Sequence, residues 1–418
     1  MKQFSLVQVN FKQGPKSLNS YHLPYSAGLL LSYSMSQPVI AENWQLNQLI
    51  WRRDNINTVA QQLADDHVVG FSTYVWNREY NYRLAERVKQ LNPDCVIVMG
   101  GPEPPVEDPD IFKKFPWMDI VIQNEGEIAW SLILKNYGKD IDYPGVLHNK
   151  NGVAVNNGPP QRTASLDQIP SPYLTGAFDK IIQDNPGVSW SSTLESNRGC
   201  PYACTFCDEG NDIYNKVKKF DLQRVLDEVE WMGEHCSYIS VADSNFGIFI
   251  DRDKIILEKM ISVIKTKKRV DNVGITWAKH KHPELLDLMK IFNTELPDSG
   301  QGFTLSVQDM DETVLKIIKR KNLEQHKLET MFEWCQVNNI PFYTELIIGL
   351  PGQSEQSWRE NIWRLFNAGN HNGINIFNCE VIENAQINLS QKQQYQVETA
   401  DVLDYFGLVD GQDDIPEY

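Results

Sequence analysis

The sequence predicts an α/β protein in two parts: an N-terminal doubly wound, Rossmann-like domain followed by a partial (β/α)6 barrel. Three observations predict it. Short apolar strands alternate with amphipathic helices from Phe4 to about Tyr137, and such alternation implies a parallel sheet with helices on both faces. Residues 147–187 are richer in Pro, Gly, Asn and Ser, as a linker and crossover is. A second series of about six βα units begins near Ser189, which fits a partial barrel with its site at the carboxyl ends of the strands. The expected parts are therefore 1–146, a linker at 147–187, a barrel at 188–380, and a short C-terminal region at 381–418.

In the first series, Phe4–Phe11 reads as a strand and Tyr25–Ser34 as a helix entered after Pro24. Ile56–Ala64 is helical, and Val68–Tyr74 is a buried strand. Arg78–Leu91 carries apolar and aromatic residues at helical spacing. Cys95–Met99 is a strand stopped by Gly100 and Gly101, Met118–Gln123 is the next strand, and Ile128–Tyr137 the next helix. In the second series the strands are Ser189–Ser196, Tyr238–Ala242, Gly274–Ala278, Gly302–Val307, Pro341–Ile348 and Ile374–Asn378. Helices Leu222–Met232, Lys254–Lys265, Pro283–Ile291, Glu312–Ile318 and Leu328–Asn338 lie between them.

Composition bounds the function. Of 418 residues, 41% are hydrophobic and 22% charged, the make-up of a globular enzyme. No apolar run reaches membrane-spanning length. The opening Met1–Phe11 lacks the layout of a signal peptide, so a cytoplasmic location is expected. The net charge of −16 argues against bulk nucleic-acid binding, which gains from basic surface. Two basic runs, Lys216–Lys219 and Lys265–Arg269, read as solvated helix ends or loops.

Seven cysteines, an odd number, argue against a disulfide framework. Three of them, Cys200, Cys204 and Cys207, fall within eight residues in Asn197-Arg198-Gly199-Cys200-Pro201-Tyr202-Ala203-Cys204-Thr205-Phe206-Cys207. Three thiolates on a tight loop can each hold one iron of a [4Fe-4S] cubane, leaving the fourth iron open. Structural zinc wants four ligands, commonly as two CxxC-like pairs, and no second pair follows. The other four cysteines read as inert core thiols.

This CxxxCxxC loop resembles that of the radical S-adenosylmethionine (SAM) superfamily. The resemblance implies a [4Fe-4S] cluster on Cys200, Cys204 and Cys207, with SAM chelated at the open iron and Phe206 against its adenine. It also implies SAM contacts from strand ends. Ala242-Asp243-Ser244-Asn245-Phe246-Gly247 stands where the family commonly has a GGE-like segment, so the amino-group contact would fall to backbone carbonyls near Asp243 or Asn245. Ser306 and Gln308 end the fourth strand. Glu345-Leu346-Ile347-Ile348-Gly349-Leu350-Pro351-Gly352 resembles the fifth-strand segment that packs on adenine, bringing in Glu345 and Ile348. Arg320 follows a helix as in many members, with helix capping an equal reading.

Four N-terminal segments narrow the resemblance to the cobalamin-binding branch: Leu23–Leu30, Val69–Asn77, Met99–Pro104 and Gln123–Glu127. The resemblance runs from about Tyr21 to Ile382. It implies cobalamin contacts from Ser72, Thr73 and Tyr74 at a strand end, and from Gly100, Gly101, Pro102 and Glu103. Glu125 and Gly126 complete the set. Glycines let backbone approach a bulky ligand. Asp65-Asp66-His67-Val68-Val69-Gly70 fits DxHxxG, a pattern that presents a cobalt-ligating histidine. Here it leads directly into a buried strand, which places His67 at the sheet's opposite edge. The cobalt would then have no histidine ligand, and Trp76 is a candidate to cover its lower face.

The resemblance implies a methyltransferase that acts on an unactivated carbon through a 5′-deoxyadenosyl radical and methylcobalamin, fed by an external one-electron reductant of flavodoxin or ferredoxin type. A cyclase or rearrangement enzyme without net methylation is the alternative, and a non-catalytic cobalamin or iron–sulfur sensor the second. His280, His282 and Glu345 are candidates to face the cavity, with surface or packing roles equally open. The substrate, whether small molecule, peptide or carrier-bound, is not legible. Related chains continue past Asp413–Tyr418, so a partner subunit that supplies a C-terminal region is a further expectation.

Overall fold

In the computed structural model, residues 1–13, 19–139, 141–278, 283–297, 302–370 and 372–400 are described. His280, His282 and the Asp413–Tyr418 terminus lie outside them. The chain divides into two compact units, Met1–Ser192 and Thr193–Thr399.

The first unit runs β1 (Lys2–Asn10), β2 (Ser20–His22), α1 (Tyr25–Met35), α2 (Pro38–Asn43), β3 (Trp44–Arg52), α3 (Ile56–Gln62), β4 (Val68–Ser72) and α4 (Arg78–Leu91). It continues with β5 (Val96–Gly100), α5 (Ile111–Lys114), β6 (Ile120–Ile122), α6 (Glu127–Lys135), β7 (Val146–Lys150), β8 (Val153–Asn156) and α7 (Asp179–Asp184), and ends in the first residues of β9 (Ser189–Leu194). Seven strands form one sheet in the order β3-β1-β4-β5-β6-β7-β8. The pairs from β3 to β6 are parallel. Val68–Ser72 and Phe4–Asn10 are buried along their whole length, as expected of strands covered on both faces. Helix α4 buries Tyr80, Leu84, Ala85 and Val88 at spacings of three to four, which seats one stripe on the sheet. Those residues join Val7, Val69, Phe71, Ile97, Met99 and Val121 in one core.

The strand order reverses beside β1, since β3 lies on one side and β4 on the other. The carboxyl ends of β1 and β4 therefore flank a switch point, where open α/β sheets bind ligands. Two expectations need correction. Trp44–Arg52, unassigned from sequence, is the edge strand β3. The segment 147–187, expected to be a linker, instead opens with β7 and β8, an antiparallel pair that extends the sheet. Its tight turn at Asn151 and Gly152, both at positive φ, produces the glycine-rich composition that looked like a connection.

The DxHxxG match lies at the amino edge, as its sequence context implies. His67 precedes β4, and its Nδ1 accepts the Gln3 N–H at 3.3 Å at the start of β1. Its neighbour Asp66 is fully buried, with Oδ1 held by Asn47 at 3.0 Å and Oδ2 without a partner. Burial pushes this carboxyl from 3.8 up to about 6. The native state therefore keeps a proton that the unfolded chain releases above 3.8, so this stabilisation is full below about pH 4 and is lost as pH rises through about 6. Asp66→Asn should gain about 2–3 kcal/mol on wild type between pH 4 and pH 8. Urea unfolding of both proteins at the two pH values measures this, and an unchanged difference would refute it.

The second unit runs β10 (Asn197–Arg198), β11 (Lys218–Lys219), α8 (Leu222–His235), β12 (Tyr238–Phe246), α9 (Ile250–Lys267), β13 (Asn272–Trp277) and α10 (Pro283–Glu295). It continues with β14 (Phe303–Gln308), α11 (Glu312–Ile317), α12 (Gln325–Val337), β15 (Phe342–Ile348), α13 (Glu355–Asn367) and β16 (Gly373–Asn378). A π-helical turn, Ile387–Gln391, follows. β12 pairs with β13, and β14, β15 and β16 pair in that order, all in parallel. Helix α8 starts where Asp221 accepts the Arg224 N–H at 3.0 Å, and it buries Val225, Val229 and Met232. Among the described residues, no helix is long and apolar enough to cross a membrane.

Candidate active site

The three clustered cysteines follow β10 on one loop of the second unit. Gly199, at φ 114, turns the chain into it, and the Cys200 N–H donates to the Tyr214 carbonyl at 3.0 Å. The Cys207 N–H bonds the Cys204 carbonyl at 3.1 Å, closing the turn. Gly210 then passes so close that a Cβ there would stand 2.0 Å from the Cys204 oxygen. No larger residue fits, and the sequence reading had not marked that glycine.

Thr205, between the second and third cysteines, is fully buried and is held from two sides. Its N–H donates to the Ile318 carbonyl at 3.1 Å. Its hydroxyl donates to Gln391 Oε1 at 2.8 Å, and Gln391 Nε2 donates to the Ile317 carbonyl at 2.7 Å. The Ile387 N–H donates to the Thr205 carbonyl at 2.8 Å. The π-helical turn is thus a strap across the cysteine loop. Such turns recur at functional sites.

None of the three is in a disulfide; Cys204 is buried and the others are half-buried. Burial pushes the Cys207 thiol up to about 11, so a bound cation is what would hold it as thiolate. Among the described residues, no group of three His, Cys, Asp or Glu stands close enough to share a single metal ion. A cubane takes each thiolate on a different iron, and three thiols on one loop fit it by number and chemistry. Two donors already face the sulfurs. Asn245 Nδ2 lies 3.3 Å from Cys200 Sγ, and Arg320 Nη1 lies 3.9 Å from Cys204 Sγ. Hydrogen bonds to ligating sulfur stabilise the more negative cluster and so tune its potential. Arg320 is buried and fixed by the Ser306 carbonyl, by the Val307 carbonyl at 3.2 Å and by Asn322 at 3.0 Å. Its guanidinium is thus turned toward the Cys204 sulfur.

The strand-end residues behave unequally. Asn245 is buried, and its Oδ1 has no partner. Gln308 is buried at φ 64, an uncommon conformation for a residue with a side chain, and its Oε1 has no partner either. Two orphaned acceptors at strand ends, one on β12 and one on β14, are what a ligand ammonium or hydroxyl would satisfy. Ser306 donates its hydroxyl to the half-buried Glu345. Ile348 is 37% exposed at the end of β15, available to an apolar ring face. Phe206 packs on Val314, Leu315, Ile318 and Leu350.

Asp243 is a correction. It is 1% exposed, and both of its oxygens are taken. Oδ1 accepts the N–H groups of Ser196 at 2.7 Å and Asn197 at 3.0 Å, while Oδ2 accepts the Ser196 hydroxyl at 2.5 Å and Asn197 Nδ2 at 2.7 Å. Arg252 braces the same point through Ser196 Oγ at 2.9 Å. Asp243 therefore positions the chain entering the cysteine loop and has no lone pair left for a cofactor. Gln353, missed from sequence, holds the turn after β15: its Oε1 accepts the Gly349 N–H at 2.8 Å, and its Nε2 donates to Asp309 at 2.6 Å.

In the first unit, the residues expected at the carboxyl edge gather around the ends of β4, β5 and β6. Tyr74 and Trp76 stack with ring centroids 4.5 Å apart and planes nearly parallel. Tyr74 Oη meets Ser26 Oγ at 2.6 Å, and the Trp76 Nε1–H is buried without an acceptor. A Cβ at Gly100 would make only ordinary van der Waals contact, 3.8 Å from the Phe71 carbonyl, and clash with nothing. These three features fit a large flat ligand. Pro102 and Gly126 are half-buried at the same edge.

Four expected contacts are already spent. Thr73 is fully buried, with its hydroxyl bonded to Met99 Sδ at 3.7 Å and Asn81 at 3.2 Å. Gly101, at φ 95, is needed by the protein itself, because a Cβ would strike the Thr73 carbonyl at 2.3 Å. Glu103 pairs with Arg78 at 3.1 Å. Glu125 is held by Arg162 at 3.0 Å and the Thr163 N–H at 2.7 Å. Ser72 is nearly buried, and its carbonyl accepts from Asn77 at 3.1 Å and Asn81 at 3.2 Å. Those two asparagines, which the sequence reading did not single out, knit the strand ends together.

Comparison with known proteins agrees with this geometry. The Radical SAM superfamily pattern matches residues 194–362. The 2-(S-pantetheinyl)-carbapenam-3-carboxylate methyltransferase of Streptantibioticus cattleyicolor is 32% identical over 377 residues, covering 88% of this chain and 55% of that protein. The cobalamin-dependent radical SAM methyltransferase TokK of Streptomyces tokunonensis is 32% identical over 391 residues, covering 91% and 57%. The chain thus spans just over half the length of these relatives. Among solved structures, the radical SAM methyltransferase TsrM from Kitasatospora setae, with cobalamin and a [4Fe-4S] cluster bound, aligns with a TM-score of 0.68 over 94% of this chain and 75% of its own. At 15% identity, that likeness is one of fold.

Proposed function

We propose that this chain, whose residues 194–362 match the radical SAM superfamily and whose relatives include a cobalamin-dependent radical SAM methyltransferase, is a member of that superfamily and transfers a methyl group to an unactivated carbon of a small substrate, free or carrier-linked. The observation that carries this reading is the cysteine loop with its two sulfur-facing donors, Asn245 and Arg320. On this reading the second unit is a partial (β/α)6 barrel. Cys200, Cys204 and Cys207 hold a [4Fe-4S] cluster, SAM lies against Phe206, Asn245, Ser306, Gln308, Glu345 and Ile348, and cobalamin lies on the first unit's edge at Ser72, Tyr74, Trp76, Gly100, Pro102 and Gly126. Bound there, these groups supply one-electron reduction, a 5′-deoxyadenosyl radical and a methyl donor.

The protein's own residues do the rest. Asp243 and the strap fix the loop before any ion arrives, so the thiols are placed rather than gathered. Asn245 and Gln308 offer unpaired acceptors to a polar group of SAM, and Ile348 an apolar face. Trp76 covers one face of the flat ligand. Seven cysteines with no disulfide among them support a cytoplasmic setting. An external one-electron reductant is required.

The deciding experiment uses anaerobically reconstituted protein with hydroxocobalamin, a low-potential reductant and methyl-deuterated SAM. Labelled methylcobalamin together with 5′-deoxyadenosine is the expected result, read by mass spectrometry. Deoxyadenosine without cobalamin binding would leave a radical enzyme and overturn the methyltransferase reading.

A further inference from the structure

Strand β12 touches the cysteine loop at three consecutive residues, and the middle contact has no part in the site described above. Five residues of β12, from Val241 to Phe246, advance against two of β13, from Ile275 to Trp277. The strand therefore bulges there, and a bulge re-aims side chains beside a site. Asp243 holds the chain entering the loop, at Ser196 and Asn197. Asn245 Nδ2 faces Cys200 Sγ at 3.3 Å. Between them, Ser244 donates its hydroxyl to Glu209, on the turn that leaves the loop.

That turn is fixed independently. The Gly210 N–H donates to the Cys207 carbonyl at 3.0 Å, and the Gly210 backbone passes close to the Cys204 carbonyl. Glu209 is half-buried, two residues past the third cysteine. The three sulfurs thus stand in unequal surroundings. Cys200 meets a neutral amide donor, and Cys204 a guanidinium at 3.9 Å. Cys207 has an acid beside it instead: burial raises its thiol most, and the charge of Glu209 raises it next. Asn245 and Arg320 favour a more negative cluster, whereas a fixed negative charge opposes one. A half-buried charge is screened less than an exposed one.

We propose that Glu209 sets the reduction potential of the centre on the cysteine loop, holding it low against the pull of Asn245 and Arg320. This inference rests on the function proposed above, which supplies that centre. The step it governs is the entry of one electron from an external reductant, and no bond is made or broken in it. A lower potential makes the electron harder to load and more strongly reducing once loaded, which is what cleavage of a sulfonium demands. Ser244 is a positioning residue, since its hydroxyl fixes where the carboxylate lies.

The test uses the full chain, reconstituted anaerobically, and measures the potential by dye-mediated titration with electron paramagnetic resonance of the reduced cluster. Glu209→Gln keeps an acceptor for the Ser244 hydroxyl and removes the charge. It should favour the reduced cluster roughly tenfold, which is about 59 mV upward for one electron. Ser244→Ala keeps the charge and removes only the hydroxyl, so it should move the same equilibrium less than about threefold. Asp212→Asn, at an exposed acid on the same segment, should move it less than about twofold, because water and salt screen that charge. Glu209→Asp should titrate like wild type. Iron and sulfide contents equal to wild type show that each variant is folded and loaded. Equal potentials for Glu209→Gln and wild type would overturn the proposal. So would a Ser244→Ala shift as large as that of Glu209→Gln, which would assign the effect to the shape of the loop. Failure of Glu209→Gln alone to load iron would make the residue structural and overturn it too. A wild type with no reducible four-iron cluster sinks the proposed function and this inference with it, an outcome distinct from loaded proteins of equal potential.

Discussion

Cys204→Ala is expected to lower bound iron from about four atoms per chain to background after anaerobic reconstitution, and to abolish 5′-deoxyadenosine formation with it. Cys204 is the buried member of the three, and its sulfur is the one Arg320 faces. A two-thiolate remnant leaves that guanidinium aimed at a methyl group. Cys236→Ala, which touches a buried thiol remote from the loop in sequence, should keep its iron and its activity. Iron and sulfide analysis with electron paramagnetic resonance after reduction measures both. A Cys204→Ala protein that retained a reducible four-iron centre would refute the ligand assignment, and with it the reading of the whole loop.

Asp243→Ala is expected to destabilise the second unit by about 3–5 kcal/mol, near the top of the range for single substitutions. The loss is large because four donors converge on this buried carboxylate, and each donor left unmet costs about 1–3 kcal/mol. Some of that is recovered as Ser196 and Asn197 relax. Asp243→Asn should be milder, since its one carbonyl oxygen still serves the two backbone N–H groups and its amide can donate to Ser196 Oγ, with only the Asn197 Nδ2 bond lost. Urea unfolding of the apo protein measures both, and a loss below about 1 kcal/mol for the alanine variant would show that the clamp does not hold. Burial also pushes this carboxyl up to about 7, so it is the convergence of donors, and not a permanent charge, that makes the position intolerant.

Much of the architecture could be read from periodicity. Arg78–Leu91 was bounded correctly because its buried stripe recurs at helical spacing, and each strand of the second series was placed within a few residues because buried parallel strands read as short apolar runs. The cysteine loop was legible for a different reason, as its chemistry lies in the spacing itself. What escaped depended on direction. A strand-terminal acid can point at a ligand or back into the protein, and Asp243, Glu103 and Glu125 all turn to protein donors. Thr73 likewise faces Met99. Gly101 and Gly210 are alike in sequence to glycines that would admit a ligand, yet each admits another stretch of the same backbone. His67 shows the converse: a literal motif match was rejected correctly because the strand that follows it fixes which edge it occupies.

The partners of Thr205 carry a consequence for how the protein is made. Thr205 and Gln391 stand 186 positions apart. At about 5–20 residues per second, a ribosome reaches the second roughly 10–40 s after the first. Throughout that interval the nascent chain displays three cysteines on a loop whose fastener has not yet been synthesised. Iron and sulfide delivered early would meet an unshaped ligand set, whereas delivery after Gln391 has emerged would meet a finished one. The strap thus acts as a clock for the loop, which is complete only once Gln391 has emerged.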